Sequence, residues 1–390
     1  MRIFESYLRS TISLIQAYDG KTPLAEWLKN YFAHHKKYGS TDRKQLTQLC
    51  FSYYRLGGAF KDLAMEERIW MAVFLCNTQP NDFLQFFKPG WIEPMGMDLD
   101  KKLFFLGYSL NALSDLFPWK SELSAGIDFL SYVQSFLQQP DLFIRIRPGF
   151  ESIVRKKLKQ SGIFFREINS FCLALNNGTK LDTVLSVNRE YVIQDYSSQR
   201  VGEFFPPGLL SGHVSKVWDC CAGSGGKSLL VYDLFPQIDL TVSDKRRSIL
   251  KNLRNRFEEA GIQKYFSFAA DLSAPVPLPL SGQPAFDLIL VDAPCSGSGV
   301  WSRTPEQLLY FEKIEIDRYN DLQKKIISSV IPYLKKGGFL FYITCSVFKK
   351  ENEGMADFIN GKLNLKADQM ELLKGYDQKA DSMFVASFQL

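Results

Sequence analysis

Strand and helix signals alternate from about residue 190 onward, and this alternation constrains the fold more than any other feature of the sequence. Short apolar runs that contain β-branched residues are typical of buried strands, and the segments between them show helical spacing. The predicted strands are 214–219, 238–243, 266–271, 286–291 and 339–344. The sequence therefore predicts an α/β domain with a doubly wound sheet, which binds ligands at the carboxyl ends of its strands.

A glycine-rich loop at 220–227 follows the first of these strands and leads into a helix predicted to begin near Ser228. Glycines at such a position let the backbone approach a ligand closely. A P-loop would need glycine where the chain has Cys221. A dinucleotide fingerprint beginning at Gly223 would need Gly or Ala where the chain has Ser228. The remaining ligand is a nucleoside without a phosphate chain, namely S-adenosylmethionine.

Acidic residues end the next two predicted strands. We expect Asp244 to accept hydrogen bonds from the ribose hydroxyls of the cofactor, and Asp271 to contact the adenine edge. An acid after the second strand fits NAD equally well, so an NAD-dependent enzyme remains open on this evidence. The cysteines of the chain separate the two alternatives.

Two cysteines directly follow predicted strands. The run 286–291 leads into Asp292-Ala-Pro-Cys295, and the run 339–344 leads into Cys345. The chain has 7 cysteines, an odd number without Cys-x-x-Cys spacing, so neither a disulfide framework nor a structural zinc site is predicted. We expect the other cysteines to be inert: Cys50, Cys76, Cys172, Cys220 and Cys221. A carboxylate and two thiols at strand ends indicate an active site with nucleophilic chemistry.

The first part of the chain, 1–125, has helical spacing. Thr22 before Pro23 predicts a helix start, and apolar residues then recur on one face. The segment 40–43 predicts a second start, followed by a stripe at Leu46, Leu49, Tyr53 and Leu56. Because the adjacent His34 and His35 point about 100° apart on a helix, we expect a solvated face there and no metal site.

The pattern changes over 126–190, where a small α+β module is predicted. The segment 142–148 alternates apolar and basic residues and stops at a proline, and 151–160 has helical spacing. Basic residues are concentrated here: Arg145, Arg147, Arg155, Lys156, Lys157, Lys159 and Arg166. A nucleic-acid surface and a simple solvated face are equally compatible with this cluster. The formal charge of the whole chain is only +5, so a polyanion would have to meet a local patch.

No apolar run approaches the roughly 20 residues that span a bilayer, and the first residues lack an apolar signal core. We therefore expect a cytoplasmic protein that does not contact a membrane, and we expect a monomer.

Three motifs carry a resemblance to a known family. They are Asp-Cys-Cys-Ala-Gly-Ser-Gly-Gly-Lys at 219–227, Asp-Ala-Pro-Cys-Ser-Gly at 292–297 and Thr-Cys-Ser at 344–346. In order and spacing they resemble the Sun/NOL1/NOP2 family of RNA 5-methylcytosine methyltransferases, which includes bacterial 16S rRNA methyltransferases. Weaker similarities extend over nearly the whole chain, at 192–199, 303–306, 322–323, 351–353 and 384–386.

The resemblance implies a Rossmann-like S-adenosylmethionine-dependent methyltransferase domain at 191–390, after an all-α NusB-like domain at 1–125 and a small RNA-binding module at 126–190. It implies Cys345 as the nucleophile toward cytosine C6, Cys295 as the residue that assists release, and Asp292 and Lys227 as contacts to the base. The implied cofactor-binding residues are Cys221, Ala222, Gly223, Ser224, Gly225, Gly226, Lys227, Asp244, Arg247, Asp271 and Asp292.

The implied substrate is RNA, and ribosomal RNA or a ribosomal subunit precursor is favoured. Alternatives are methylation of transfer RNA and a non-catalytic RNA-binding role in ribosome assembly on the same fold. The presence of Cys345, Cys295, Asp292 and Asp244 favours the catalytic alternatives.

Overall fold

A computed structural model describes residues 2–206, 215–274, 279–280 and 286–390. Val214, at the start of the first predicted strand, lies outside these residues. The chain divides into two compact units. The first consists of Met1–Ser121, Ile127–Gln139 and Val300–Lys313, and the second consists of Glu122–Gly126, Pro140–Gly299 and Ile314–Leu390.

Helices account for the regular structure up to residue 139. The α-helices are α1 (Arg2–Ala17), α2 (Leu24–His34), α3 (Ser40–Arg55), α4 (Met65–Cys76), α5 (Asp82–Phe87), α6 (Leu99–Phe105) and α7 (Phe129–Ser135). Short 3₁₀ helices are Pro89–Trp91, Glu93–Gly96, Leu110–Leu116 and Lys120–Glu122. The predicted helical character of this part is confirmed.

The helix starts were predicted with mixed success. Helix α3 begins at Ser40, where the carboxylate of Asp42 accepts the N–H of Gly39 at 2.9 Å. Its predicted stripe of Leu46, Leu49, Tyr53 and Leu56 is buried, which confirms that face as core. The predicted cap at Thr22 is wrong, because Pro23 occupies the cap position of α2 and no side chain caps the helix.

Strands and helices alternate in the rest of the chain. The elements are β1 (Leu142–Ile146), α8 (Glu151–Gln160), β2 (Arg166–Glu167), β3 (Cys172–Leu175), β4 (Tyr191–Ile193), α9 (Tyr196–Arg200), β5 (Ser215–Asp219), α10 (Gly226–Leu234), β6 (Ile238–Asp244), α11 (Arg247–Glu259), β7 (Phe266–Ala269), β8 (Phe286–Asp292), α12 (Gln307–Tyr310), α13 (Ile314–Val330), β9 (Leu334–Thr344), α14 (Glu353–Lys362), β10 (Lys366–Leu373) and β11 (Met383–Gln389). Further 3₁₀ helices are Val201–Phe204, Ser298–Val300, Ile331–Tyr333 and Gly375–Gln378.

A small antiparallel sheet has the strand order β2-β3-β1-β4. Helix α8 packs on it through Val154 and Leu158, which share a core with Ile144 and Ile146 of β1. The predicted strand and helix of the small α+β module are confirmed, and α8 has the predicted bounds.

Two arginines of β1 and its end do not project toward solvent as predicted. Arg145 Nη1 donates to Asp233 Oδ2 at 2.6 Å, and Arg147 Nη2 donates to Asp233 Oδ1 at 2.7 Å. The Asp233 side chain is only 3% exposed, so this is a buried ion triad. Arg145 and Arg147 therefore fit neither the nucleic-acid surface nor the solvated face that the sequence left open, because their charge is paired inside the protein.

A second sheet has seven strands in the order β10-β11-β9-β8-β5-β6-β7. Strands β9, β8, β5, β6 and β7 are mutually parallel, whereas β11 and β10 are antiparallel. After β5 the chain adds β6 and β7 on one side and later β8 and β9 on the other, so the topology switches between β5 and β8. Ligands bind at the carboxyl ends of the strands beside such a switch point.

The predicted doubly wound fold is thereby confirmed, with shifts at element ends. Helix α10 begins at Gly226, two positions before the predicted start at Ser228. Strand β9 begins at Leu334, upstream of the predicted Phe339, because Leu334 already pairs with Phe286 of β8. No helix among the described residues is long and apolar enough to cross a membrane.

Candidate active site

The glycine loop between β5 and α10 is tied to the end of β6. The N–H of Gly223 donates to Asp244 Oδ2 at 3.0 Å, and the N–H of Arg246 donates to Asp244 Oδ1 at 2.9 Å. Gly223 and Gly225 have φ of +53° and +86°, a region that disfavours side chains. A Cβ on Gly225 would lie 2.8 Å from the ring of Phe257, so this glycine allows α11 to pack closely.

A cavity of about 650 Å³, which we call the main cavity, lies at the carboxyl ends of β5, β6 and β8. Its wall contains the predicted site residues Cys221, Ala222, Gly223, Ser224, Gly226, Lys227, Asp244, Asp271, Asp292, Cys295 and Cys345. Two predicted cofactor residues do not line it. Gly225 packs against α11, and Arg247 is exposed at the first position of α11, whereas its neighbours Lys245 and Arg246 reach the wall.

Helix α13 contributes a side of the main cavity that the sequence analysis did not predict. Tyr319, Leu322 and Ile326 line it. These positions recur at helical spacing on one face, which is the signal that could have placed them on the wall.

Asp271 follows β7 and lies at the rim of the main cavity. Its Oδ1 accepts the N–H and the hydroxyl of Ser273, and its Oδ2 forms an ion pair with Lys245 at 2.7 Å. The hydrogen bond from Lys245, the largest cause, holds the pKa of Asp271 at about 2. This carboxylate therefore stays charged at neutral pH.

Cys295 and Cys345 meet although they follow different strands. Their Sγ atoms are 3.3 Å apart, because β8 and β9 are adjacent and parallel and end at the same edge of the sheet. The hydrogen bond with Cys345, together with burial, raises the pKa of Cys295 well above its usual value. Cys295 is therefore a protonated thiol at neutral pH, able to donate to the sulfur of Cys345.

An ion pair lies on the same wall. Lys227 Nζ donates to Asp292 Oδ2 at 2.9 Å, and the Lys227 side chain is 9% exposed whereas that of Asp292 is 32% exposed. Lys227 fixes the carboxylate at the end of β8, and the more accessible Asp292 can contact a ligand. Both residues were predicted from the sequence as site residues, but their ion pair was not predicted.

Glu351 connects the two loops that carry the thiols. Its Oε2 accepts the N–H of Ser296 at 2.9 Å and its Oε1 accepts the hydroxyl of Ser346 at 2.8 Å. Gln323 donates both to Glu351 Oε2 and to the carbonyl of Pro294. Ser296 follows Cys295 and Ser346 follows Cys345, so a buried carboxyl fixes the spacing of the two sulfur atoms. The segments 322–323 and 351–353 were similar to the family in sequence, but no structural or catalytic role was predicted for them.

Four of the remaining cysteines lie in environments that suppress reactivity: Cys50, Cys76, Cys172 and Cys220. Burial raises the pKa of Cys50 to about 12, of Cys76 to about 11 and of Cys172 to about 12. Burial also raises the pKa of Cys220 well above its usual value. A thiol attacks as the thiolate, so these residues are poor nucleophiles at neutral pH.

The main cavity fits S-adenosylmethionine in size and chemistry. Its volume is within the range of about 300–1,000 Å³ typical of small-molecule sites. A Cβ on Gly223 would meet no atom within 4 Å, so this part of the loop is open to a ligand. Asp244 accepts one backbone N–H on each oxygen and also pairs with the guanidinium of Arg246 at 3.2 Å. The Arg246 side chain is 66% exposed, so ribose hydroxyls compete with a solvent-accessible partner for this carboxylate.

The fold is the Rossmann-like fold of S-adenosylmethionine-dependent methyltransferases. Solved structures support the fold. The structure of PH0851 superposes with a TM-score of 0.68 at 19% identity, covering 100% of this chain and 97% of that chain. NSun6 from Pyrococcus horikoshii, solved with SFG, superposes with a TM-score of 0.57 at 15% identity, covering 71% and 99%.

The sequence comparison is more specific. Residues 211–388 match the family of 16S rRNA methyltransferases RsmB/F. Ribosomal RNA small subunit methyltransferase B of Xanthomonas campestris is 32% identical over 46% of this chain and 41% of that protein. The same protein of Proteus mirabilis is 26% identical over 66% of this chain and 60% of that protein. The chain thus spans about half the length of the curated relatives it matches. The predicted resemblance to the Sun family is confirmed.

Proposed function

We propose that this protein transfers a methyl group from S-adenosylmethionine to C5 of a cytosine in RNA, through a covalent bond between Cys345 and C6. The observation that carries the proposal is the thiol pair, 3.3 Å apart, on the wall of the main cavity beside the Asp292–Lys227 ion pair. The family of residues 211–388 and the names of its relatives support ribosomal RNA of the small subunit as the substrate.

The glycine loop and Asp244 would hold the cofactor. When bound, S-adenosylmethionine supplies an electrophilic methyl group. Cys221, Ala222 and Gly226 of the glycine loop line the main cavity, and Asp271 stays ionised at its rim. These groups orient the cofactor within reach of the thiols, which line the same cavity.

Cys345 supplies the nucleophile. Addition of its thiolate to C6 breaks the C5–C6 double bond and places electron density on C5, which by itself is a poor nucleophile. Asp292, held by Lys227, would accept hydrogen bonds at the N3 edge of the base, from the N4 amino group and from N3 once N3 is protonated. A hydrogen bond to that edge stabilises the ring as charge develops during the addition.

Cys295 assists the reverse step. Once C5 carries the methyl group, solvent water takes the C5 proton, the electron pair left behind restores the C5–C6 double bond, and the bond between C6 and Cys345 breaks, which returns a thiolate to Cys345. Cys295 is protonated and 3.3 Å away, so its S–H can stabilise the departing thiolate. Glu351 keeps both loops in place during these steps.

The two thiols are expected to fail in opposite ways. Cys345→Ala removes the nucleophile, so neither methyl transfer nor a protein–RNA adduct should form. Cys295→Ala leaves attack possible but impairs release, so a covalent complex should accumulate as a slow band on a denaturing gel that ribonuclease collapses. Cys76→Ala is the control, since Cys76 is a partly buried thiol of the helical unit and its replacement should leave the reaction unchanged.

The substrate for this test is a small-subunit rRNA transcript, and methylation is mapped by bisulfite sequencing. If Cys345→Ala traps RNA while Cys295→Ala is merely inactive, the roles are exchanged. If both variants methylate normally, the cysteine mechanism is wrong.

A further inference from the structure

A second cavity, of about 400 Å³, lies beside the small sheet, and we call it the module cavity. Its wall is formed by the end of β1, the loop before β3, α9 with the turn that follows, and the end of α10. All of its lining residues belong to the second unit, and none of them lines the main cavity. It is therefore a separate site, to which the proposed mechanism assigns no role.

The module cavity offers flat aromatic and apolar surface. Phe171 lines it and is 45% exposed, and Tyr196 is half-buried behind it. Leu230 and Leu234 complete the apolar part. Sites that combine exposed aromatic faces with a few polar groups bind planar ligands by stacking.

The polar part of the wall is charge-balanced and contains a buried donor without a partner. Asp233 pairs with both Arg145 and Arg147, and Arg200 pairs with both Glu203 and Glu371. Three guanidinium groups thus meet three carboxylates, and the wall carries no net charge that would select an anion. The Arg145 side chain is 6% exposed, and its Nη2 has no hydrogen-bond partner among the described residues. A buried unsatisfied donor costs stability, and this nitrogen is enclosed by protein and not exposed to the cavity.

Helix α8 does not line the module cavity but contacts its wall through Arg155, and it carries further cations. Arg155 Nη2 donates to the carbonyl of Ser170, a residue of the wall, at 2.7 Å. Lys159 lies one helical turn beyond Arg155 on the same face and is exposed. A phosphate-containing ligand whose planar group enters the cavity would therefore have a cation near its phosphates. The phosphates themselves would lie outside the uncharged wall.

We infer that the module cavity binds an unpaired nucleobase of the substrate RNA, away from the target cytosine. The base would stack on Phe171, fill the apolar part of the cavity beside Leu230 and Leu234, and leave its phosphates near Lys159. Sequence-specific RNA recognition targets unstacked bases in this way. The inference rests on the proposed function for its ligand, but the binding can be measured without methyl transfer.

The test compares Phe171→Ala with a matched control, Phe164→Ala. Phe164 is 79% exposed in the same module and does not line the module cavity. The probe is a fluorescently labelled single-stranded fragment of small-subunit rRNA, titrated with the full-length protein without cofactor. Because stacking of one base is worth about 1–3 kcal/mol, Phe171→Ala should weaken binding by about tenfold, without changing the salt dependence. Phe164→Ala should bind as the wild type does.

A second measurement locates the base. RNA with 4-thiouridine is cross-linked to the wild type by irradiation, and a cross-link to the peptide that contains Phe171 or Tyr196 is expected. Equal affinity of both variants, or cross-links confined to other peptides, overturns the inference. If the wild type binds RNA through Phe171 but transfers no methyl group, the proposed function fails while this site stands. If the wild type methylates and Phe171→Ala is unaffected, only this site fails.

Discussion

At the scale of single residues, Asp219 shows how burial changes a carboxyl group at the end of β5. The side chain is fully buried, and Oδ2 accepts the hydroxyl of Ser228 at 2.6 Å. Its Oδ1 has no hydrogen-bond partner among the described residues. This burial raises the pKa of Asp219 from 3.8 to about 7. Through its hydrogen bond with Ser228, the carboxyl group links the end of β5 to α10. It is protonated at mildly acidic pH.

This raised pKa predicts a pH dependence of stability. Between its unfolded and folded pKa values, Asp219 is protonated in the folded state and ionised in the unfolded state, so its contribution is lost as pH rises toward about 7. Asp219→Asn keeps the acceptor for Ser228 and removes this titration. We expect the stability of the wild type relative to Asp219→Asn to fall by on the order of a few kcal/mol from about pH 4 to about pH 8.

Chemical unfolding of both proteins at a series of pH values measures this difference. A difference that stays constant with pH would show that Asp219 titrates normally in the folded protein.

Glu351 is the second residue for which a quantitative outcome is expected. Glu351→Gln replaces one acceptor oxygen by an amide donor that faces Ser296 or Ser346, so the loops of the two thiols lose a hydrogen bond. A lost buried hydrogen bond costs about 1–3 kcal/mol. We expect kcat for RNA methylation to fall by tenfold or more, with little change in KM for RNA.

Glu353→Gln is the matched control, because Glu353 contacts Ser124 and Ala125 and neither thiol loop. Equal kcat values for wild type and Glu351→Gln would mean that Glu351 does not position the thiols.

At the scale of secondary-structure elements, the sequence predicted best where one local rule decides the outcome. The strands of the parallel sheet, α8 and the stripe of α3 were predicted because apolar spacing alone defines them. The positions of Cys295 and Cys345 at one edge followed from parallel strand ends. Predictions that depend on partners distant in sequence failed, as for Arg145, since nothing local indicates that Asp233 will neutralise it. Arg247 lies off the main cavity because the helix start turns it outward.

The ion triad of Arg145, Arg147 and Asp233 joins β1 to α10 and carries a prediction of its own. Arg147 also donates to the carbonyls of Asn188 and Ala260. Because Asp233 lies in α10 and Ala260 follows α11, one cluster connects the small sheet to two helices that pack on the large sheet. Asp233→Asn leaves two buried guanidinium groups without a counter-charge. We expect a loss of about 3 kcal/mol in unfolding free energy.

The surface pair of Arg155 and Glu167 serves as the comparison. Glu167 is 51% exposed, so Glu167→Gln should cost no more than about 1 kcal/mol. Equal losses in urea titrations of the two variants would contradict a stabilising role for the triad.

At the scale of the whole molecule, the chain combines a helical unit with a second unit that holds both cavities. The net charge of +5 is small for 390 residues, so RNA must meet cations at particular places. Of the predicted basic cluster, Arg145, Arg147, Arg155, Lys157 and Arg166 form ion pairs within the protein. Lys156 and Lys159 are exposed and form no ion pair with the described residues.

We therefore expect Lys156 and Lys159 to bind phosphates of the RNA. Each phosphate contact on a single strand contributes about 0.7 to the slope of log affinity against log salt concentration, so Lys156→Ala with Lys159→Ala should reduce the slope by about 1.4. The control is the same charge change in the helical unit, Lys36→Ala with Lys37→Ala, two exposed residues after α2. Fluorescence anisotropy with one labelled RNA over a range of salt concentrations measures both slopes. If only the control pair reduces the slope, the helical unit and not the small module contacts the RNA backbone.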